Sequence, residues 1–191
     1  MKERPILFSG PMVRAILSGA KTETRRVVKL TARQAAWGDL RACPSAEWHI
    51  DGAQFGHPKG GPYTFVACPY GLPGDRLWVR ETWRATAADE EAEHVRLTYR
   101  ADGSTQWERF TGEQNGADER DAWCERWLNR GMGAWQSSIY MPRWASRLTL
   151  LVESVHVERL HDITDEGARA EGNWDENPWV WVICFSRTEG A

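Results

Sequence analysis

Apolar and polar positions alternate in several short runs along the chain, and this spacing predicts a protein built mainly from strands. In the clearest run, Leu77 and Val79 alternate with charged or amphipathic residues directly after the turn Pro73-Gly74-Asp75. Residues 179–185 (WVWVICF) are continuously apolar, which is typical of a buried strand. Strands are predicted at 4–8, 24–29, 63–67, 76–83, 97–103, 147–160 and 179–185.

A different spacing predicts three short helices. Between Pro11 and Gly19, apolar residues recur every three or four positions, with proline at the start and glycine just past the end, as helices prefer. Residues 117–133 place tryptophans and a leucine on one face, and residues 164–171 begin with acidic residues that complement a helix dipole.

Two long stretches separate these elements. Residues 31–72 are rich in Gly, Pro and Ala, and residues 84–140 are rich in Asp, Glu, Arg, Gly and Gln, so we expect both to be largely loop-rich insertions. Parallel βαβ alternation is absent. The pattern therefore predicts one α+β domain over 1–191, with a small mixed or antiparallel β-barrel and flanking helices.

Composition narrows the class of protein. The chain has 191 residues, of which 41% are hydrophobic, and a net charge of −3. Such a chain has no overall basic field, so any nucleic-acid binding needs a local basic patch. No run reaches the roughly 18 apolar residues of a membrane span, and the N-terminus lacks an apolar signal core. We therefore expect no membrane contact, a cytoplasmic location and reduced thiols. The sequence does not indicate an oligomeric state or a cofactor.

The segment 19–26 (GAKTETRR) gathers an amine, hydroxyls, a carboxylate and two guanidiniums just past the predicted first helix. Such a cluster suits an anionic or nucleotide-like ligand, and it places a hydroxyl nucleophile, Thr24, three residues from Lys21. A solvated turn with ordinary surface charges explains the same residues, and composition alone leaves both interpretations open.

Several segments together resemble the ASCH domain family of the PUA-like superfamily, in particular its phage- and prophage-encoded members. Residues 19–26 match the family signature GxKxxTxR, and residues 74–79 resemble its GD-x-L-x-V strand. Residues 160–164 (LHDIT) resemble the family's L-x-D-I/L-T element, and 179–185 resemble its closing strand. The resemblance covers about residues 4–30, 73–83 and 141–187. It implies a PUA-like barrel with a role in RNA or nucleotide chemistry.

One small bacterial ASCH branch hydrolyses N4-acetylcytidine, and the resemblance implies its catalytic set here. The branch's Lys and Thr match Lys21 and Thr24, and its Glu aligns with Glu171. Amide hydrolysis would use Thr24 as nucleophile, with Lys21 and Glu171 as acid/base groups. The predicted function is thus an amidohydrolase for N4-acetylcytidine or a related N-acylated nucleoside.

Other residues would bind the substrate in such a cleft. Arg25 and Arg26 would hold an oxyanion or phosphate, Glu81 is a rival cleft carboxylate, and Trp78 and Trp83 would stack on a base. Two alternatives use the same residues: a non-catalytic module that binds RNA or a nucleotide, and an ASCH-type ribonuclease. We predict no metal site, because Cys43, His49, His57 and Cys68 match no usual ligand spacing.

Overall fold

The computed structural model describes residues 1–29, 41–42, 52–56, 64–89, 94–109, 133–162 and 177–188. Within these ranges the chain forms one α-helix, α1 (Gly10–Leu17), and eleven strands. The strands are β1 (Glu3–Leu7), β2 (Glu23–Val27), β3 (Arg41–Ala42), β4 (Gly52–Gly56), β5 (Thr64–Ala67), β6 (Arg76–Arg80), β7 (Trp83–Asp89), β8 (His94–Tyr99), β9 (Thr105–Arg109), β10 (Thr149–Arg159) and β11 (Trp179–Arg187).

Helix α1 begins and ends where the sequence predicts. Ser9 precedes it in extended conformation, and Pro11 lies in its first turn, where the absent N–H costs nothing. Val13 and Ile16 are its buried residues. Gly19 follows with φ +76°, a left-handed conformation that glycine adopts without strain. The other two predicted helices, at 117–133 and 164–171, lie outside the described residues except for Gly133.

The strands form three open sheets. The first has five strands hydrogen bonded in the order β1-β6-β10-β11-β2, and two further sheets have the orders β3-β4-β5 and β7-β8-β9. The α+β class is therefore confirmed. The closed barrel is not: β1 and β2 lie at the two ends of the five-stranded order instead of pairing with each other. A PUA-like relationship stays a prediction.

The predicted insertions contain more regular structure than their composition indicates. The range 31–72 contributes β3, β4 and β5, and the range 84–140 contributes most of β7–β9. In β7–β9 loop-like composition is misleading because one face is exposed, and an exposed sheet face accepts the Arg, Thr and Gln residues that also fill loops. At the hairpin between β8 and β9, Gly103 has φ +74°, and Asp102 accepts hydrogen bonds from Ser104.

Residue contacts divide the chain into two compact units. Unit 1 comprises Met1–Arg4, Thr22–Leu77 and Leu150–Ser186; unit 2 comprises Pro5–Lys21, Trp78–Thr149 and Arg187–Ala191. In unit 1, β11 pairs antiparallel with β2, and a buried cluster joins Leu160, Val180 and Val182. In unit 2, the core is formed by Trp83, Ala85, Val95, Leu97, Tyr99, Met141 and Ala145, with Trp144 packed against them.

Candidate functional site

Lys21 and Thr24 occupy different local environments. Lys21 belongs to unit 2; its backbone N–H donates to the carbonyl of Ala15, and its side chain is half-buried. Thr24 belongs to unit 1, where it lies in β2 opposite Ile183 and is only 3% exposed. A hydroxyl nucleophile must reach its substrate, so the burial of Thr24 is more typical of a strand residue that packs. Glu171 lies outside the described residues.

The two predicted substrate arginines of β2 also have protein neighbours. Arg25 Nε donates to Glu158 Oε1 at 2.8 Å, and its Nη1 donates to Glu23. Burial opposes the charge of Arg25, but these hydrogen bonds outweigh it and raise the pKa of the guanidinium. Arg26 pairs in register with Trp181 and is half-buried. Arg25 is thus engaged in an ion-pair cluster of unit 1.

Glu81, the predicted cleft carboxylate, instead forms a buried ion pair in unit 2. Its two oxygens accept from Arg147 Nε at 2.8 Å and Nη2 at 2.9 Å, a bidentate geometry. The Glu81 side chain is 2% exposed and that of Arg147 is 10% exposed. Burial raises the pKa of Glu81, although the hydrogen bonds from Arg147 oppose this shift. The pair leaves no carboxylate oxygen of Glu81 open to a ligand.

Arg147 extends this network to the β8–β9 hairpin. It donates to Asp102 at 2.9 Å and to the hydroxyl of Ser104, and its guanidinium carbon lies 4.2 Å from the centre of the Tyr99 ring. Burial disfavours the charge of Asp102, but the hydrogen bonds from Arg147 and Ser104 outweigh it and lower the pKa of Asp102 to about 2. The network therefore ties the hairpin turn to the core of unit 2.

Trp78 and Trp83, predicted to stack on a base, are core residues in the structure. Trp83 is fully buried and meets Trp144 edge-on, with ring centres 6.0 Å apart. Trp78 is 8% exposed, and Arg80 lies 4.7 Å over its ring. Little of either ring reaches the surface, so neither is placed to stack on a base.

The exposed aromatic residues lie instead on the outward face of the sheet β7–β9. Register pairs Trp107 with Arg96, and Thr105 with Thr98. The neighbouring positions Val95, Leu97 and Tyr99 are buried on the opposite face. Alternation therefore directs Thr105, Trp107, Arg96 and Thr98 to the same, outward side. We call this side the outward face.

A fourth segment extends the outward face beyond β7. Gln136 and Trp83 exchange backbone hydrogen bonds, and the N–H of Gly133 donates to the carbonyl of Ala85. This antiparallel pairing brings Trp135 beside Arg84, whose guanidinium carbon lies 4.4 Å from the centre of the indole ring. The outward face thus carries a tryptophan near each of its two edges.

Each of these two tryptophans has an arginine against it. Arg84 and Arg100 approach Trp135, at 4.4 Å and 5.8 Å, and Arg96 approaches Trp107 at 5.9 Å. Trp107 remains 51% exposed and Trp135 39% exposed. Cation–π contacts of this kind restrain the rings at the surface. Each guanidinium is also partly engaged by the sheet, since Arg84 Nη1 lies 3.5 Å from the Gly133 carbonyl and Arg96 Nε donates to Thr86.

The outward face carries net positive charge. In the part of the chain that the structure describes, no carboxylate forms an ion pair with Arg84, Arg96 or Arg100. Two acidic residues lie off this face: Asp102 binds Arg147, and Glu108 is in register with the inward-facing Val95. Asp89 is in register with His94, an outward position at the opposite end of β7 from Arg84, so among the described residues the face has one acidic position against these three arginines. Burial raises the pKa of Glu108, in keeping with its inward position.

Sequence reasoning did not identify these residues, because Arg84, Arg96, Arg100, Trp107 and Trp135 all fall in the range expected to be loop-rich. One available signal was the alternation of Val95, Leu97 and Tyr99, which marks Arg96 as outward-facing. The register between Arg96 and Trp107 joins two strands, and the segment containing Trp135 follows much later in the chain. No local pattern reveals that juxtaposition.

Among the described residues, no group of three or more His, Cys, Asp or Glu side chains lies together as metal ligands would. Of the four residues that the sequence offers as candidate metal ligands, only Cys68 lies in the described ranges; it is a buried free thiol, and burial raises its pKa.

None of the helices in the described ranges has the length and apolar character needed to cross a membrane.

Comparison of the chain with models of known protein families, with curated proteins and with solved structures finds no match.

Proposed function

We propose that the protein binds nucleic acid, with RNA as the first candidate, through the outward face of β7–β9. The observation that supports the proposal is the pairing of two exposed tryptophans, Trp107 and Trp135, with arginines that have no carboxylate partner among the described residues. Guanidiniums bind phosphate, and indole rings stack on bases, so the two groups together suit both parts of a nucleotide chain.

The charge distribution fits this proposal better than the overall composition does. A protein with net charge −3 does not attract polyanions over its whole surface. A local group of three arginines, Arg84, Arg96 and Arg100, supplies the basic patch that nucleic-acid binding requires. Arg25, which the sequence predicts as a ligand-binding arginine, is less available to a phosphate, since it is already paired with Glu158 and Glu23.

The test is a titration of fluorescently labelled RNA oligonucleotide followed by anisotropy, at about 50 mM salt, where phosphate contacts are strong. We expect Arg84→Gln and Arg96→Gln each to weaken binding several-fold. Arg187→Gln is the matched control, because Arg187 is an exposed arginine of unit 2 outside this sheet. Equal affinities for all four proteins, or no binding by wild type, would contradict the proposal. Size-exclusion chromatography would then show whether the face joins copies of the chain, since Trp and Arg are also frequent in protein interfaces.

The amidohydrolase predicted from the ASCH resemblance is a separate hypothesis. It requires the Thr24 hydroxyl to reach a substrate, although Thr24 is 3% exposed. Incubation with N4-acetylcytidine, with Thr24→Val as control, tests it: cytidine released by wild type alone would support a catalytic Thr24. Intact RNA recovered after the binding assay would argue against the ribonuclease alternative.

A further inference from the structure

The two tryptophans of the outward face are too far apart to contact the same base. Trp135, Arg84, Thr98 and Thr105 form one row across the sheet, and Trp107 lies two residues further along β9. With strands about 4.8 Å apart and a rise of about 3.4 Å per residue, the backbones of Trp135 and Trp107 are about 16 Å apart.

The strip between the tryptophans is low and polar. Thr86 and Thr98 lie there with their hydroxyls 3.3 Å apart, and Arg96 Nε donates to the Thr86 hydroxyl at 3.1 Å. Thr98 is only 7% exposed and Arg96 reaches across to Thr86, so the path from one indole to the other is lined by threonine and arginine. Arg84 stands at one end of that path and Arg96 near the other, where each can meet a phosphate.

Stacking on both rings requires bases that are not already paired and stacked in a duplex. In a double helix the faces of internal bases are covered by their neighbours, whereas a single strand can turn its bases onto aromatic side chains. A stacked strand advances about 3.4 Å per nucleotide, so about five steps span the gap, and a more extended strand needs fewer.

We infer that the outward face is a two-station site for single-stranded nucleic acid, in which Trp135 and Trp107 each stack one base of a strand about four to six nucleotides long. The inference rests on the proposed nucleic-acid binding. It adds that the ligand is single-stranded, that it is about four to six nucleotides long, and that the two tryptophans determine both properties. Stacking and phosphate contacts do not involve the hydrogen-bonding edges of the bases. The site should therefore accept single strands of different sequence, both RNA and DNA.

The test combines ligand length with removal of each station. Affinities are measured for a dinucleotide, a tetranucleotide, an octanucleotide and a duplex of the octanucleotide, with wild type, Trp107→Ala and Trp135→Ala. Tyr140→Ala is the matched control, because Tyr140 is an aromatic residue that is 71% exposed and lies outside the sheet. Comparing RNA with DNA of the same sequence distinguishes the two sources of single strand.

We expect the octanucleotide to bind wild type much more tightly than the dinucleotide, and the duplex to bind more weakly than its single strand. Loss of either tryptophan should weaken octanucleotide binding about 5- to 150-fold, as loss of one stacked base does. Dinucleotide binding should change little in either variant, since the remaining station still accepts one base. Tyr140→Ala should match wild type.

Two failures are distinguishable. If no oligonucleotide binds, both the proposed function and this inference are wrong. If octanucleotides bind but affinity does not depend on Trp107 and Trp135, or if the duplex binds as well as the single strand, the two-station inference is overturned while nucleic-acid binding stands. Circular dichroism of both alanine variants checks that the sheet is intact.

Discussion

The buried ion pair between Glu81 and Arg147 gives the most exact stability prediction. Glu81→Gln removes the negative charge that faces a guanidinium that is 10% exposed, and its single amide oxygen can keep only one of the two hydrogen bonds of 2.8 and 2.9 Å. Leaving one charge of a buried pair without its partner costs about 3–5 kcal/mol. Asp102 still binds Arg147, so we expect the lower end, about 3 kcal/mol.

The measurements are urea unfolding and thermal unfolding, both followed by tryptophan fluorescence. For a chain of this size, a loss of about 3 kcal/mol corresponds to a melting temperature lower by about 6–12 °C. Glu3→Gln is the matched control: Glu3 lies 4.0 Å from Arg76, and both side chains are 37% exposed, so its loss should cost less than about 1 kcal/mol.

A second pair of variants separates the charge from the packing. Arg147→Met alone should also destabilise the protein, because it leaves the Glu81 carboxylate buried without a cation. Glu81→Leu combined with Arg147→Met should recover part of that loss, since two apolar groups need no partner. If Glu81→Gln unfolds at the same urea concentration as Glu3→Gln, the reasoning about this buried pair is wrong.

Three other predictions concern salt, a glycine and acid. With three arginines on phosphates, the slope of log affinity against log salt should be about −2 for a single strand, and Arg96→Gln should make it about 0.7 shallower; an unchanged slope would remove Arg96 from the phosphate contacts. Gly71→Ala should lower the melting temperature, because Gly71 has φ +93° and an added Cβ would lie 2.8 Å from Asp75 Oδ2; an unaltered melting temperature would contradict this. The pKa of Asp102 is about 2 in the folded protein and about 3.9 unfolded, so its stabilisation is complete above pH ~4 and lost toward pH ~2. Asp102→Asn should therefore flatten the fall of unfolding free energy in that range, and parallel acid profiles would exclude the effect.

Local sequence patterns predicted the elements that depend on local physics. Helix α1 was predicted from its apolar spacing, with Pro11 at its start and Gly19 past its end, and the structure confirms it. Strand β10 also lies within its predicted range, 147–160, and β11 overlaps its own, 179–185. In these segments the secondary-structure propensity, the apolar spacing and the turn residues all favour the same element, so a short stretch of sequence is enough to predict it.

Local sequence patterns could not predict contacts between residues that are far apart in the chain. Glu81 falls in the predicted strand 76–83, which the structure divides into β6 and β7 with Glu81 between them, and nothing near it indicates that Arg147, 66 residues later, neutralises it. Trp83 and Trp107 are the same residue type in similar polar surroundings, yet one is fully buried and the other half exposed. Which face of a sheet becomes core depends on what packs against it, and that information is non-local.

Resemblance and geometry emphasise different residues. The ASCH signature draws attention to Lys21 and Thr24, whereas the structure presents Trp107 and Trp135 at the surface. Each set suits the proposed RNA or nucleotide ligand, but the two sets lie in different parts of the chain. A method that reports binding residue by residue can therefore decide between them.

The most direct measurement is the ¹H–¹⁵N spectrum of the tryptophan indole groups during titration with a single-stranded octanucleotide, with signals assigned through Trp107→Phe and Trp135→Phe. Binding at the outward face predicts that the indole signals of Trp107 and Trp135 shift first and furthest, while that of the buried Trp83 stays in place. Unchanged signals from Trp107 and Trp135, under conditions in which the octanucleotide binds, would show that the ligand contacts another surface.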